Sequence, residues 1–96
     1  MEQQHIVLNV TYTMRPGMRE RFVELVREQG ILAGIRAEPG CLQYEYFAAL
    51  EDPDKLFLLE CWADQACLDA HAYSENMARL KQVKEQCALN TQIKRY

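Results

Sequence analysis

Two alternating segments joined by a short polar turn constrain this fold more than any other feature. Residues 41–49 and 55–63 alternate between two faces, which is the pattern of a β-strand. Within the second segment, Leu56, Leu58, Glu60 and Trp62 share one face, and Phe57, Leu59 and Cys61 share the other. The residues between them, Glu51-Asp52-Pro53-Asp54, are turn formers. The sequence therefore predicts a β-hairpin.

A strand and a helix precede the hairpin. Residues 5–14 are rich in β-branched residues and predict a strand that is covered on both faces, because both faces are partly apolar. Met18, Phe22, Leu25 and Val26 then follow at helical spacing. We expect this helix to run to about Ala37, with a kink or a close approach near Gly30, and to end at Pro39-Gly40.

Two further helices and a strand follow the hairpin. Asp64 and Ser74 are candidate N-cap residues, which predicts a short helix over 65–72 and a second helix that includes Leu80 and Val83. A closing strand is expected from about Leu89 to Tyr96. The order β-α-β-β-α-β is the split βαβ arrangement of ferredoxin-like α+β domains with an antiparallel sheet. We expect one such domain over residues 1–96.

Charge and cysteine usage exclude several classes of protein. The net charge is −3 and no block of basic residues exists, so nucleic acid is a poor candidate partner. The N-terminal residues carry neither a basic segment nor a long apolar run, so we expect no signal peptide, no membrane span and a cytoplasmic location. The four cysteines form no C-x-x-C pair, which favours reduced thiols over a zinc site, although their even number also permits disulfides.

Glu60 and His71 are the candidates for acid–base chemistry. Glu60 lies on a face otherwise formed by apolar residues, and a carboxylate is costly to bury. It either forms an ion pair at a strand end or faces a cavity, where it could accept or relay a proton. His71 closes the short helix, where it is either a helix-end histidine favoured by the dipole or an acid–base group.

Aromatic and amide side chains complete the candidate site. Trp62, Tyr44 and Tyr46 give the hairpin an aromatic face, which is either core or the lining of a pocket for a flat aromatic ligand. Asn9 lies in the middle of a predicted strand, where asparagine is disfavoured. It is either a structural amide or a group that holds a substrate carbonyl or an oxyanion.

Motifs for common cofactors are absent from the sequence. It contains no G-x-G-x-x-G, no Walker motif, no G-x-S-x-G and no H-E-x-x-H. Cys67 and His71 have i,i+4 spacing, but no further ligand pair supports a metal site. We therefore expect neither a metal nor an organic cofactor.

Several motifs together resemble the antibiotic biosynthesis monooxygenase (ABM) superfamily. They are Arg36-Ala-Glu38-Pro-Gly40-Cys41-Leu-Gln-Tyr44, the Asp52-Pro53 turn, Glu60-Cys-Trp62 and then His71. The resemblance implies a homodimer in which two sheets meet as an α/β barrel. It also implies a pocket for a small molecule bordered by Glu60, Trp62, His71, Asn9 and Tyr44. The haem-degrading branch fits poorly, because His71 stands where that branch has tryptophan and Lys81 stands near its expected histidine.

Two classes of function follow from these observations. The first is an enzyme, either a cofactor-independent monooxygenase of quinol-like or aromatic compounds or an isomerase of a small phosphorylated signal similar to autoinducer-2. In it, His71 or Glu60 would act as the base and Asn9 would stabilise developing charge. Arg36 and Lys55 are candidates for a basic group at the pocket mouth. The second class is a non-catalytic dimer that binds a small ligand, in which the same residues close a hydrogen-bond network.

Overall fold

Four strands form one antiparallel sheet in the computed structural model of the protein, which describes residues 5–96. The strands are Ile6–Met14 (β1), Cys41–Ala48 (β2), Lys55–Trp62 (β3) and Ala88–Arg95 (β4), in the spatial order β2-β3-β1-β4. All three neighbouring pairs are antiparallel. The predicted hairpin and the predicted ferredoxin-like α+β class are confirmed. Residues 1–4, on which the prediction of no signal peptide mostly depends, lie outside the described residues.

Helices connect the strands at the predicted places. They are Arg19–Glu28 (α1), Ile31–Arg36 (α2), Gln65–Ala72 (α3) and Glu75–Cys87 (α4). Both predicted N-caps are confirmed, because Asp64 accepts a hydrogen bond from the Cys67 amide and Ser74 accepts one from the Met77 amide. Among residues 5–96, no helix has the length and apolar character needed to cross a bilayer.

The first helical region differs from the prediction of one continuous helix. Gly30 has φ of 73°, a left-handed conformation that ends α1 and starts α2. Gly34 then allows a close approach, since a Cβ there would lie 2.6 Å from the Asn76 Oδ1. The kink expected near Gly30 is therefore a full break, and the second glycine makes room for a polar side chain of α4.

All four helices pack on the same face of the sheet. The core lies between this face and side chains of α1, α2 and α4, including Phe22, Val26, Ile35 and Leu80. The strand residues that point into the core alternate with half-exposed ones, which gives β3 the burial pattern of a sheet covered on one side. β1 is a central strand, as expected. Its face away from the helices is half-exposed, so this chain by itself does not cover both faces of the strand as predicted.

Gly40, just before β2, packs directly against α3. Its φ is 78°, and a Cβ at this position would overlap the sulfur of Cys67 on α3. The Gly40 carbonyl also accepts a hydrogen bond of 2.8 Å from the Ala63 amide, just before α3 begins. The close approach of Gly40 and Cys67 thus fixes where α3 lies against the sheet.

We expect Gly40→Ala to lower the free energy of unfolding by about 3 kcal/mol, because the left-handed backbone and the overlap with Cys67 both oppose a side chain. Gly17→Ala is the matched control. Gly17 has φ of 79° but no atom within 4 Å of its Cβ position, so only the backbone cost of about 1–2 kcal/mol applies. Urea denaturation of both variants measures the difference, and equal losses would show that the contact with Cys67 contributes nothing.

Candidate active site

Glu60 is a carboxylate buried between the sheet and the helices. It lies on β3 between Leu58 and Trp62, opposite Leu8 of β1 and Tyr44 of β2, and only 7% of its surface is exposed. The indole Nε1 of Trp62 donates a hydrogen bond of 3.0 Å to its Oε1. Alternation along the strand is what turns both side chains toward the helices. The carboxylate therefore faces the protein interior.

His71 is the only buried residue of α3. Its ring stacks on Trp62, with 4.5 Å between the ring centroids and 28° between the planes. Its Nε2 lies 3.8 Å from Glu60 Oε1, and its Nδ1 is hydrogen-bonded to Glu38 Oε1 at 2.9 Å. The imidazole thus lies between two carboxylates, one on each side of the ring.

Glu38 is a member of the site that the sequence reasoning did not select. It lies in the turn between α2 and β2, and its second oxygen accepts a hydrogen bond of 2.9 Å from Asn76 of α4. Its side chain is 13% exposed, so it connects the buried imidazole to the protein surface. Glu38 stood within the quoted motif, but a turn has no periodicity that could indicate where its side chain points.

Burial sets the electrostatics of Glu60. Desolvation raises the pKa of this carboxyl above its ordinary value of 4.5. The hydrogen bond from Trp62 and the electrostatic interactions with His71 and Lys84 oppose the rise by stabilising the anion. A carboxylate with a raised pKa binds a proton more readily, so Glu60 is a stronger base than an exposed glutamate.

Three tyrosines lie near this group, of which Tyr12 and Tyr44 are buried and Tyr46 is half-buried. Tyr44 contacts both the His71 ring and Tyr46, each with a ring separation of 5.9 Å. Tyr12, which the sequence reasoning did not select, reaches the same layer through Phe22, with the ring centroids 5.4 Å apart. Burial raises the pKa of all three phenols, which keeps them as neutral hydrogen-bond donors.

Asn9 does not lie with these residues. Leu8 and Val10 point into the core, so Asn9 faces the other side of the sheet, opposite Leu59 and Lys94 on the neighbouring strands. A strand cannot turn two successive side chains to one face. The structure thus brings Glu60, His71, Trp62, Tyr44 and Tyr46 together but leaves the predicted amide outside the group.

The two predicted mouth residues also lie elsewhere. Arg36 donates a hydrogen bond of 2.9 Å from its Nε to the Tyr44 carbonyl at the β2 edge, and Lys55 pairs with Thr13 at the start of β3. Glu60 is only 7% exposed, His71 4% and Trp62 0%. The group is therefore closed in this conformation.

Metal ligation has little support in this part of the chain. Residues 5–96 contain no group of three or more histidine, cysteine, aspartate or glutamate side chains arranged to hold a metal ion. Cys67, the spacing partner of His71, has a thiol pKa raised chiefly by its contact with Asp64, which disfavours the thiolate that metals bind. The imidazole instead uses its Nδ1 to bind Glu38.

The fold and the buried carboxylate–imidazole group define a ferredoxin-like α+β domain with a polar site between its sheet and its helices. The sequence matches the profile of the family described as antibiotic biosynthesis monooxygenase over residues 5–83. Since this match spans most of the chain, the protein belongs to that family, and the resemblance found in the sequence is confirmed.

Individual proteins are similar to the chain in sequence or in fold. The chain is 33% identical over 66 residues to YcnE of Bacillus subtilis, whose name proposes a monooxygenase; the match covers 69% of this chain and 67% of YcnE. It is 29% identical over 66 residues to the uncharacterized Synechocystis protein sll1783, covering 69% of this chain and only 44% of that protein. The crystal structure of PA3566 from Pseudomonas aeruginosa superimposes with a TM-score of 0.86 at 29% identity, covering all of this chain and 96% of that one.

Glu60 should make folding stability depend on pH. Because the pKa of Glu60 is raised in the folded chain, its favourable contribution is present below its ordinary value of 4.5 and is lost as the pH rises through the folded value. We expect the free energy of unfolding of Glu60→Gln minus that of the wild type to increase as the pH rises above 4.5.

Urea denaturation from about pH 4 to about pH 8 measures this difference. Glu51→Gln is the control, because Glu51 is exposed in the turn between β2 and β3. A difference for Glu60→Gln that stays flat or falls with rising pH contradicts the argument from desolvation.

Proposed function

We propose that the protein is a monooxygenase that acts, without a metal or a flavin, on a small quinol-like or aromatic polyketide-type compound. The observation that carries the proposal is the chain of Glu38, His71 and Glu60, buried against Trp62. Such a chain can take a proton from a bound molecule and pass it toward the surface. Membership of the family supports the choice of an oxidation over other proton-transfer reactions.

The first step of the proposed reaction is removal of a proton. Glu60 or His71 accepts the proton from an activated C–H or O–H group, and Glu38 stabilises the imidazolium that forms when His71 is the acceptor. Tyr44, whose ring contacts His71, would donate a hydrogen bond to the negative oxygen of the substrate anion. The tryptophan indole shields the group from water.

The second step is the reaction of this electron-rich anion with dioxygen. For an anthrone-type methylene, the carbanion gives electrons to oxygen and the two combine to form a peroxide anion, which takes back the proton held by Glu60 or His71 to give a hydroperoxide. The hydroperoxide then loses water, which leaves a carbonyl at the former methylene carbon. One oxygen atom enters the product and the other leaves as water, so dioxygen supplies all the oxidising equivalents and the protein supplies proton transfer and shielding.

Access to the site requires α3 to move. His71 is 4% exposed and Trp62 is fully buried, so a substrate cannot reach the imidazole in the closed conformation. α3 is the element best suited to open, because its other seven residues are half-buried or exposed. Its movement would carry His71 away from Glu60 and admit a flat molecule between them.

The activity test uses His71→Ala and Glu60→Gln with a quinol and with an anthrone. If the chain of groups carries the proton, each change should lower the rate of substrate-dependent oxygen uptake by about 10²–10⁴-fold. Glu38→Gln keeps a hydrogen-bond acceptor for His71 but removes the charge, so we expect a smaller loss of about tenfold. An oxygen electrode measures all three rates, with Glu51→Gln as the control of equal charge change.

A non-catalytic ligand-binding role is the second candidate. It is favoured by the observation that every buried side-chain nitrogen and oxygen of residues 5–96 has a hydrogen-bond partner, as a purely structural network would. In that case His71→Ala and Glu60→Gln should lower the melting temperature strongly, with no turnover of any quinol by the wild type. A stable variant that has lost oxygen uptake supports the enzyme instead.

We also propose that the working form is a homodimer in which a second copy covers the open face of the sheet. This face carries partly exposed apolar side chains from three strands, including Val7, Phe47, Phe57 and Leu59. A surface of this kind is unusual for a monomer, and a two-fold pairing of sheets would cover it on both copies at once. All four cysteines are free thiols, which supports a reducing location such as the cytoplasm.

Sedimentation equilibrium tests the dimer. The wild type should sediment at twice 11.2 kDa, and Leu59→Lys should sediment as a monomer because a buried charge at the centre of the paired sheets has no partner. Leu50→Lys is the matched control, since Leu50 is fully exposed at a turn and its change should leave the dimer intact. A wild-type protein that is monomeric at micromolar concentration would contradict the homodimer proposal.

A further inference from the structure

A separate hollow lies where α3 meets α4, on the outside of the helical layer. It has a volume of about 400 Å³, and its lining includes Tyr73, Ser74, Met77, Lys81 and Lys84. Its lining starts at Ala72, which follows His71 in the chain, so the hollow is next to the closed site but not part of it. None of the residues selected from the sequence as candidate site residues lines it.

Two lysines give this hollow its charge. Within residues 5–96, neither Lys81 nor Lys84 forms an ion pair or donates a side-chain hydrogen bond, whereas most other cationic side chains of α1 and α4 have an anionic or carbonyl partner. Lys84 is half-buried, and its Nζ lies 5.4 Å from the centre of the Tyr12 ring. A second hollow of about 340 Å³ shares both lysines and also has Glu85 in its lining.

The remaining surface of the hollow suits a flat apolar body. Tyr73 is 91% exposed at the α3–α4 junction, which leaves its ring free to pack on a ligand. Met77 provides an adaptable apolar contact beside it. An apolar wall with two cations on one side matches a molecule that has an aromatic ring at one end and a negative charge at the other.

We propose that this hollow binds a small aromatic compound that carries one anionic group, with the charge between Lys81 and Lys84 and the ring against Tyr73 and Met77. The inference rests on the proposed function in that a compound held here lies beside α3, from where it enters the neighbouring site as substrate when α3 moves. Binding would also affect Glu60, because the positive charge of Lys84 lowers the pKa of that carboxyl in the free protein. A bound anion cancels this charge, which makes Glu60 a stronger base when substrate is present.

Titration of the ¹⁵N-labelled protein with 1-naphthoate tests the site, with the uncharged 1-naphthalenemethanol as the matched probe. The amide signals of residues 72–78, Lys81 and Lys84 should shift with naphthoate, and the alcohol should bind at least about tenfold more weakly. Equal affinity for the two probes, shifts confined to other residues, or no binding of naphthoate at millimolar concentration would overturn the proposal.

Variants identify the groups responsible. Lys81→Gln together with Lys84→Gln should weaken naphthoate binding by about tenfold or more, while Arg21→Gln, which removes one positive charge from the exposed face of α1, should leave it within about twofold. Lys81→Gln alone, at an exposed position, keeps the test valid if the double variant does not fold, and its expected loss is about threefold. Unchanged affinity in Lys81→Gln and the double variant contradicts a role for the lysines.

A third probe, 1-naphthyl phosphate, identifies the anionic group. Tighter binding than naphthoate assigns a phosphate ester to the hollow, and weaker binding assigns a carboxylate. Because these titrations measure binding and not turnover, their outcome is independent of the oxygen-uptake assay. A protein that binds naphthoate but consumes no oxygen loses the monooxygenase proposal alone. One that consumes oxygen but binds naphthoate and the uncharged alcohol equally loses this inference alone.

Discussion

The burial of the Glu60 carboxylate is the constraint around which the site is built. An isolated charge is expensive to remove from water, so a folded chain tolerates it only with donors and countercharges close by. Here the Trp62 indole donates a hydrogen bond from the same strand, His71 approaches from α3, and Lys84 contributes a charge from α4. Three separate elements must therefore adopt their final positions together for this one group to be stable.

The same requirement explains the close contacts that hold α3. Gly40 has no side chain because Cys67 occupies that space, and Gly34 has none because Asn76 does. Asn76 in turn holds Glu38, which holds the outer nitrogen of the imidazole. α3 is thus fixed by a few specific contacts and little apolar burial, which is the balance expected of an element that opens and closes over a site.

The two faces of the sheet have different surroundings. The face toward the helices holds the core and the polar group, and its tyrosines and tryptophan bring polar atoms into an otherwise apolar layer. The other face has no cover within the chain and carries apolar side chains that a second copy can bury. Asn9 belongs to this second face, so any role for its amide concerns that surface and not the proton chain.

Much of the architecture was determined by the sequence alone. Alternation in β1, β2 and β3, the turn at Asp52-Pro53 and the N-caps Asp64 and Ser74 are local signals, because each depends on neighbouring residues and the geometry of one element. The same alternation correctly assigned Glu60 and Trp62 to one face, and the family motifs identified the family. The parity of β1 likewise puts Asn9 on the face opposite Leu8 and Val10, which is the face away from the core.

Only the tertiary structure decided which elements meet. The contacts of His71 with Glu38 and Glu60 join positions far apart in the chain, and no local pattern reports the distance between a turn and a helix. The full break at Gly30 depended on how α2 packs, since glycine tolerates helical and left-handed conformations alike. The sequence thus set the elements and their inward faces by local periodicity, while the proton chain exists only because long-range packing brings a turn, a strand and two helices to one place.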